Sequence, residues 1–456
     1  MPQPHFAFRL LNNAAFRWAL LLLLVQQMIV ASSTYWIAKV AENISVGGAF
    51  GVYFVLFILS LTIVYLPASF AAMLLEKAKF TALNRYTALF QKNFNNQAGL
   101  RNDRTLKDQR LPFIASEGFL TIDESYRFLF DGVSLLLNVS FNIAVLAWIL
   151  APSIMLSYLL GVLLAALAVF AFKQRIYQRG QAAQQGRTKL QRTLSLAWDN
   201  VLLGNRYNQH YFNQALQQNQ NEALKTAVSN RGWNHLASSL GMLLMMSPVL
   251  AWTAILFYQH QNDTALLAVL VATLPRQVLI LQYTDILISV ATGWSGMKAK
   301  LQGLQSAVAV PQNSLNGRIQ WDKLQAQAQN CDGEFSLATL PNHALKCGRI
   351  TLRGANGCGK SSYLCWLKQQ LGEQAYYLPA QHELLFADNT ALSTGQTLKR
   401  NLHELADDLN SDKHAVRMLL LDEWDANLDK DSIDTLNQLI AELSQRCLVI
   451  EVRHRA

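Results

Sequence analysis

Eight consecutive residues, Gly354, Ala355, Asn356, Gly357, Cys358, Gly359, Lys360 and Ser361, fit the pattern GxxxxGKS without a mismatch, and Ser362 follows them. Glycines in such a loop let backbone N–H groups converge on phosphate oxygens. Lys360 is then expected to reach the β and γ phosphates of a nucleoside triphosphate, and the Ser361 hydroxyl to ligate Mg²⁺. Further along, the apolar run "RMLLLDE" ends in Asp422 and Glu423. A buried strand that delivers a carboxylate to its C-terminal edge places Asp422 where it can hold the Mg²⁺ shell. Glu423 is then beside it, where it can polarise an attacking water. Cys358 lies inside the loop; converging N–H dipoles would make it thiol-reactive, and the alternative is a space-filling residue.

A phosphate loop of this kind needs a strand before it and a helix after it, and the surrounding pattern supplies both. Short apolar runs "FSLATL", "GRITLRG", "AYYLPA", "RMLLLDE" and "CLVIEV" alternate with helical patterns at 360–371, around 396–408 and at 431–444. Such alternation predicts an α/β layer built on a mainly parallel sheet.

What precedes this region is of another kind. The 456 residues are 51% hydrophobic and only 15% charged, outside the usual soluble range. The apolar residues concentrate before residue 300. Six segments, roughly 15–41, 48–76, 125–150, 153–173, 233–258 and 265–297, have the length and apolarity to cross a bilayer. Phe16 to Val30 reads as a retained first helix, not a cleaved signal.

The net charge of +9 lies mostly beside these spans. Segments 77–124 and 173–231 hold eight and nine Lys/Arg, whereas 42–48, 151–153 and 259–264 hold none. By the positive-inside rule the two basic segments and both termini are cytoplasmic, and a nucleic-acid partner is not expected. The basic segments keep helical periodicity, so they predict two long intracellular hairpins. All five cysteines, Cys331, Cys347, Cys358, Cys365 and Cys447, fall in the last third at spacings that fit no zinc pattern, as suits a reduced cytosolic compartment. The expected organisation is a six-helix, all-α transmembrane domain over 1–308, a linker over 309–318 containing Pro311 and Gly317, and an α/β P-loop nucleotide-binding domain over 319–456.

At this point the chain resembles the ATP-binding cassette transporters of the exporter type. "LSTGQ", Leu392 to Gln396, looks like the family signature, with Thr394 in place of a glycine; "ANLD", ending at Asp429, resembles the loop after the catalytic glutamate. "EVRHR" carries His454 at the place of the switch histidine, and Gln381 in "LPAQHELLF" resembles the glutamine that senses Mg²⁺. The resemblance implies ATP and Mg²⁺ as cofactors. It implies that Glu423, His454 and Gln381 serve hydrolysis, and that Ser361, Gln381 and Asp422 surround the metal. Ser393, Gly395 and Gln396 of one subunit would complete the site of another, so the implied partner is a second copy of the chain.

Several departures accompany the resemblance. Only 21 residues separate Lys360 from Gln381, and only 12 separate Gln381 from Ser393, so the cassette reads as shortened. Trp424 stands at the place of the usual proline. Trp321 and Phe335 are candidates to stack on adenine.

Polar residues inside the spans point to a cargo path. Gln282, Asp285, Ser289 and Thr292 recur on one helical face with Arg276 a few turns away, and Asp131, Ser134, Asn138 and Asn142 form a stripe on another span. A hydrated cavity is the natural reading, and helix-to-helix hydrogen bonding the alternative. Charges together with amides suit a peptide or amphipathic cargo, a peptide antibiotic among them. Lipid translocation, and proton-coupled peptide uptake beside a vestigial cassette, are the other readings. A half-size chain of this type suits the bacterial cytoplasmic membrane.

Overall fold

The computed structural model describes every residue except 1–5, 312–314, 332–334, 343–346, 380, 381, 383, 387–393, 411–416, 427 and 454–456. The chain divides into two compact units, one of residues 1–86 and 118–304 and one of residues 87–117 and 305–456.

In chain order the helices before the sheet are α1 (Phe6–Leu11), α2 (Ala14–Ser45), α3 (Gly51–Ile63), α4 (Tyr65–Phe94), α5 (Arg104–Ala115), α6 (Glu117–Ile149), α7 (Ser153–Ser195), α8 (Ala197–Leu202), α9 (Arg206–Gln259) and α10 (Thr264–Val308). Their starts follow from local chemistry. Asn13 caps α2 by accepting from the Phe16 N–H, and Asn205 caps α9 by accepting from the N–H groups of Tyr207 and Asn208. α3 ends at Ile63, four residues before Pro67, which has no N–H to offer the Ile63 carbonyl.

Among the described residues five helical segments are long and apolar enough to cross a membrane. A sixth is formed if Ser153–Ala168 and Phe170–Ser195, bent by 43°, count as one span. The chain is thus compatible with a multi-pass membrane protein. Basic stretches 77–124 and 173–231 are helical over most of their length, in α4 to α6 and in α7 to α9. Within the first unit α7 and α9 pack closely because small residues line the contact: a Cβ at Gly161 would come within 2.6 Å of the Met245 carbonyl oxygen.

The second unit holds β1 (Gln325–Gln329), β2 (Gly348–Arg353), α11 (Lys360–Leu371), β3 (Ala375–Pro379), α12 (Thr394–Asn410), β4 (Met418–Asp422), α13 (Lys430–Ser444) and β5 (Leu448–Val452). The sheet runs β1-β2-β5-β4-β3; β1 is antiparallel to β2 and every other pair is parallel. Helices cover both faces. Leu420, Ile350 and Ile450 pack with Tyr363, Leu364 and Leu367 of α11, while Leu419, Leu421 and Val449 pack with Leu436, Ile440 and Leu443 of α13. Burial on both faces explains why "MLLL" is an unbroken apolar run instead of an alternating one.

One strand differs from the sequence reading. "FSLATL" is a turn leading into a 3₁₀ segment, Leu340–Asn342, and its apolar residues lie against the core. Pro341 has no N–H for a ladder. The edge is taken by β1, "QAQAQ", which is exposed throughout and held by backbone bonds alone, so it has no apolar signature. The 309–318 stretch read as a linker includes Leu315, which is buried.

A buried ionic network closes the sheet's far side. Arg349 on β2 donates to both carboxylate oxygens of Glu451 on β5, at 3.0 and 2.8 Å. Thr351, Arg453 and the indole N–H of Trp424 donate to the same carboxylate. Burial alone would raise the Glu451 pKa, but the bonds and charge of Arg349, with Arg453 and Thr351, outweigh it and leave the group below its ordinary value. The network's contribution is therefore present above the unfolded carboxyl's value of about 4.3 and is lost as pH falls through the lower folded value. Glu451→Gln is expected to cost about 3–5 kcal/mol, because it leaves the Arg349 charge buried and unpaired, and to flatten this acid limb. Hydrogen exchange of the β5 amides from pH 3 to pH 7 measures both effects.

Candidate functional site

The four parallel strands end at one edge of the sheet, and the residues singled out in the sequence gather there: 354–361 after β2, Asp422 and Glu423 at the end of β4. Sites of α/β sheets form at such carboxyl edges because the loops there are free to diverge. β3 ends at Pro379, two residues before Gln381, and β5 ends at Val452, two before His454. Gln381, His454 and Ser393 lie outside the described residues.

The loop has the backbone its sequence requires. Gly354, Gly357 and Gly359 have φ values of +154°, +82° and +95°, a region that L side chains rarely adopt. A Cβ at Gly359 would stand 2.5 Å from the Arg318 carbonyl oxygen, so this position takes only glycine. Gly359 precedes α11 in the left-handed conformation and offers no side-chain cap. The first N–H groups of α11 are thereby left to an outside acceptor, with the helix dipole favouring an anion. Gly354, Ala355, Asn356 and Gly357 are exposed, whereas Cys358 beneath them is buried and accepts a bond from the Gln320 N–H through its carbonyl.

Lys360 lies across the loop, its Nζ donating to the Gly354 carbonyl at 2.8 Å and to that of Ala355 at 3.4 Å. Ser361 donates to Oδ1 of Asp422 at 3.0 Å. Asp422 is buried, and its other oxygen accepts from the Tyr377 hydroxyl at 2.9 Å. A hydroxyl on a buried carboxylate at the mouth of a glycine loop is the donor set a hard, oxygen-loving divalent cation takes. The residues present therefore fit Mg²⁺ beside a phosphate chain.

Glu423 is exposed and held at φ +50°, an unfavourable conformation for a non-glycine residue. Its N–H donates to the Val452 carbonyl at 2.9 Å, and its own carbonyl accepts from Ala426, which fixes the turn in which β4 ends. Gly395 and Gln396 lie in the first turn of α12. Asp429 caps α13, accepting from the Ser432 N–H, and its pKa is lowered by its side-chain hydrogen bonding with Ser432.

Two contacts at the site were not visible in the sequence. Tyr377 is one; a tyrosine in a buried strand must satisfy its hydroxyl, and that is the signal that points to it. Trp424 is the other. It is buried, donates to Glu451 at 2.9 Å and has the Arg453 guanidinium 5.4 Å from its ring, so where the sequence offered no reason for a tryptophan, the structure shows it tying the turn after Glu423 to β5. Of the two adenine candidates, Phe335 is packed against the core; Trp321 is more exposed and meets Tyr363 and Trp366 edge-on.

The polar residues of the spans are knit together within the first unit. Asn138 donates to Gln27, Gln27 to Ser134, and Thr34 to Asn142. Arg276 donates to Asn142 at 2.9 Å and to the Val30 carbonyl at 3.2 Å. Asp285 accepts from Ser238, while Gln282 and Ser289 are exposed. Bonds from one helix to another therefore account for much of the two stripes. Among the described residues no carboxylate lies within ion-pair distance of Arg276.

In comparison with known proteins, no family model matches this chain, and no curated protein does either.

Burial decides between the two readings of Cys358. Its side chain belongs to the cluster of Ile350, Leu352 and Tyr363, so the space-filling role is the one the fold supports. Maleimide applied briefly to the native chain is expected to label the exposed Cys347 and spare Cys358, Cys365 and Cys447, all of which are buried. Peptide mass mapping reads the result; fast modification of Cys358 would contradict it.

Proposed function

We propose that the chain is one half of an ATP-driven exporter in a bacterial cytoplasmic membrane, with both termini inside, and that it works as a pair of identical copies. The observation that carries this reading is the Ser361–Asp422 bond at the mouth of a left-handed glycine loop, with Glu423 held in the next position. The six cassette-like motifs and the preceding apolar helices support it.

The residues that would hold the triphosphate are the N–H groups of 354–361 together with Lys360. Ser361 and Asp422 would hold Mg²⁺, and Glu423 would orient and polarise water. ATP, when bound, supplies the free energy of hydrolysis. The first turn of α12 in a second copy, with Ser393 and Gly395, would offer donors to the same phosphates; Gln381 and His454 would stand beside the metal and the water.

A pair is favoured for two reasons. The resemblance implies that the signature residues of one copy and the phosphate loop of another complete each site together. In addition, the second hairpin ends in α8, where Trp198, Leu202 and Leu203 are exposed, and a second copy is the occupant we assign to them.

For the cargo, Arg276 favours a carboxylate-bearing peptide or amphipathic molecule. A guanidinium among apolar helices is costly unless paired, and its neighbours here are an amide and a backbone carbonyl.

Glu423→Gln separates the exporter from a proton-driven carrier. In the lipid-reconstituted chain it is expected to lower ATP turnover by about 100-fold or more and to stop transport with ATP still bound. Transport that survives in the variant and collapses with a protonophore would contradict the exporter. Arg276→Gln is expected to raise the half-saturating concentration of a stimulating peptide about tenfold, the worth of one charged hydrogen bond. The C-terminally amidated peptide should respond equally to both proteins; an equal loss for the acid and amide forms would remove Arg276 from cargo recognition.

A further inference from the structure

Tyr377 stands between the proposed metal site and the tip of the first hairpin. Its hydroxyl donates to Oδ2 of Asp422 at 2.9 Å while Ser361 occupies Oδ1 at 3.0 Å. On the other side, the Arg101 guanidinium lies 5.9 Å from the centroid of the Tyr377 ring. Arg101 belongs to the segment 87–117, which falls in the same compact unit as the sheet.

The tip is seated there by several contacts. Asn102 reaches the Cys365 sulfur at 4.0 Å, and the Gln369 amide donates to Gln97 at 3.4 Å. Gly99 is closed over by Leu315, whose Cδ1 would lie 2.5 Å from a Cβ at that position. Cys365 follows Ser361 by one helical turn on α11. The tip therefore touches both the helix that presents Ser361 and the tyrosine that holds Asp422.

We propose that Tyr377 is a positioning residue for the Mg²⁺ ligand Asp422 and, through its ring, the contact by which metal occupancy reaches the first hairpin. The inference rests on the nucleotide-binding reading and deepens it. A divalent cation held by Ser361 and Oδ1 of Asp422 would replace the bond between those two groups, while the Tyr377 hydroxyl would keep Oδ2 and so hold the carboxylate in place. With Oδ2 bonded to Tyr377, any turn of the carboxylate is passed to the phenol, and so to a ring beneath a guanidinium whose attraction depends on ring geometry. The tip in turn continues through α4 and α6 into the apolar helices.

The test uses the full chain in lipid nanodiscs. Two quantities are measured: the Mg²⁺ concentration needed for half-saturation with a fluorescent ATP analogue, and hydrogen exchange over residues 96–103 with and without Mg²⁺. In the wild type, Mg²⁺ should change exchange at the tip. Tyr377→Phe should need about tenfold more Mg²⁺, the loss of one hydrogen bond to a charged group, and should abolish the exchange response. Arg101→Ala, at an exposed position, should abolish the response while keeping the wild-type Mg²⁺ requirement. A Tyr377→Phe variant with wild-type requirement and response overturns the proposal while leaving nucleotide binding intact. A wild type that binds no nucleotide overturns the functional reading itself.

Discussion

The hydrogen bond from Ser361 to Asp422 joins the first turn of α11 to the end of β4, and neither group would be left where it is without the other. A carboxylate this buried costs several kcal/mol unless its oxygens are satisfied. Here two hydroxyls satisfy them, from Ser361 and Tyr377. The arrangement is complete as it stands and is also the donor set that a small divalent cation would use. Because β5 lies between β2 and β4 in the sheet, the two ends can meet only if all three strands keep register. The site thus inherits its precision from the parallel ladder.

That register is pinned on the opposite side of β5 by Glu451. Its carboxylate collects Arg349 from β2, Arg453 from just beyond the end of β5 and Trp424 from the turn that follows β4. The same network that ties β2 to β5 therefore holds the loop carrying the proposed catalytic carboxylate. A strained Glu423, at φ +50°, persists because its N–H is bonded to Val452 and the residue after it is locked in the core. Strain of this kind costs about 1–3 kcal/mol and is sustained only by such surroundings.

Much of this was legible in the sequence where the cause is local. The helix 360–371 follows directly from a glycine loop that leaves its first N–H groups free, and "MLLL" and "LVIEV" announce strands buried on both faces. What was not legible depends on partners far away in the chain. β1 has no apolar pattern, because an exposed edge strand is held by backbone bonds alone. "FSLATL" has the alternation of a strand but packs as a turn, since Pro341 interrupts any ladder. Trp424 and Tyr377 acquire their meaning only from Glu451 and Asp422, brought close by the sheet. In the apolar helices the polar stripes were readable from spacing, while the bonds that join Gln27 to Asn138 and Asn142 to Arg276 were not.

In the proposed exporter two copies of the chain would share the nucleotide, each completing the other's site. Native mass measurement of the wild-type chain released from lipid nanodiscs, with and without Mg²⁺-ATP, counts chains and nucleotides in each particle. Particles of two chains carrying two nucleotides are expected. Single chains that hold nucleotide as tightly as pairs do, or pairs that never take it up, would contradict the proposal.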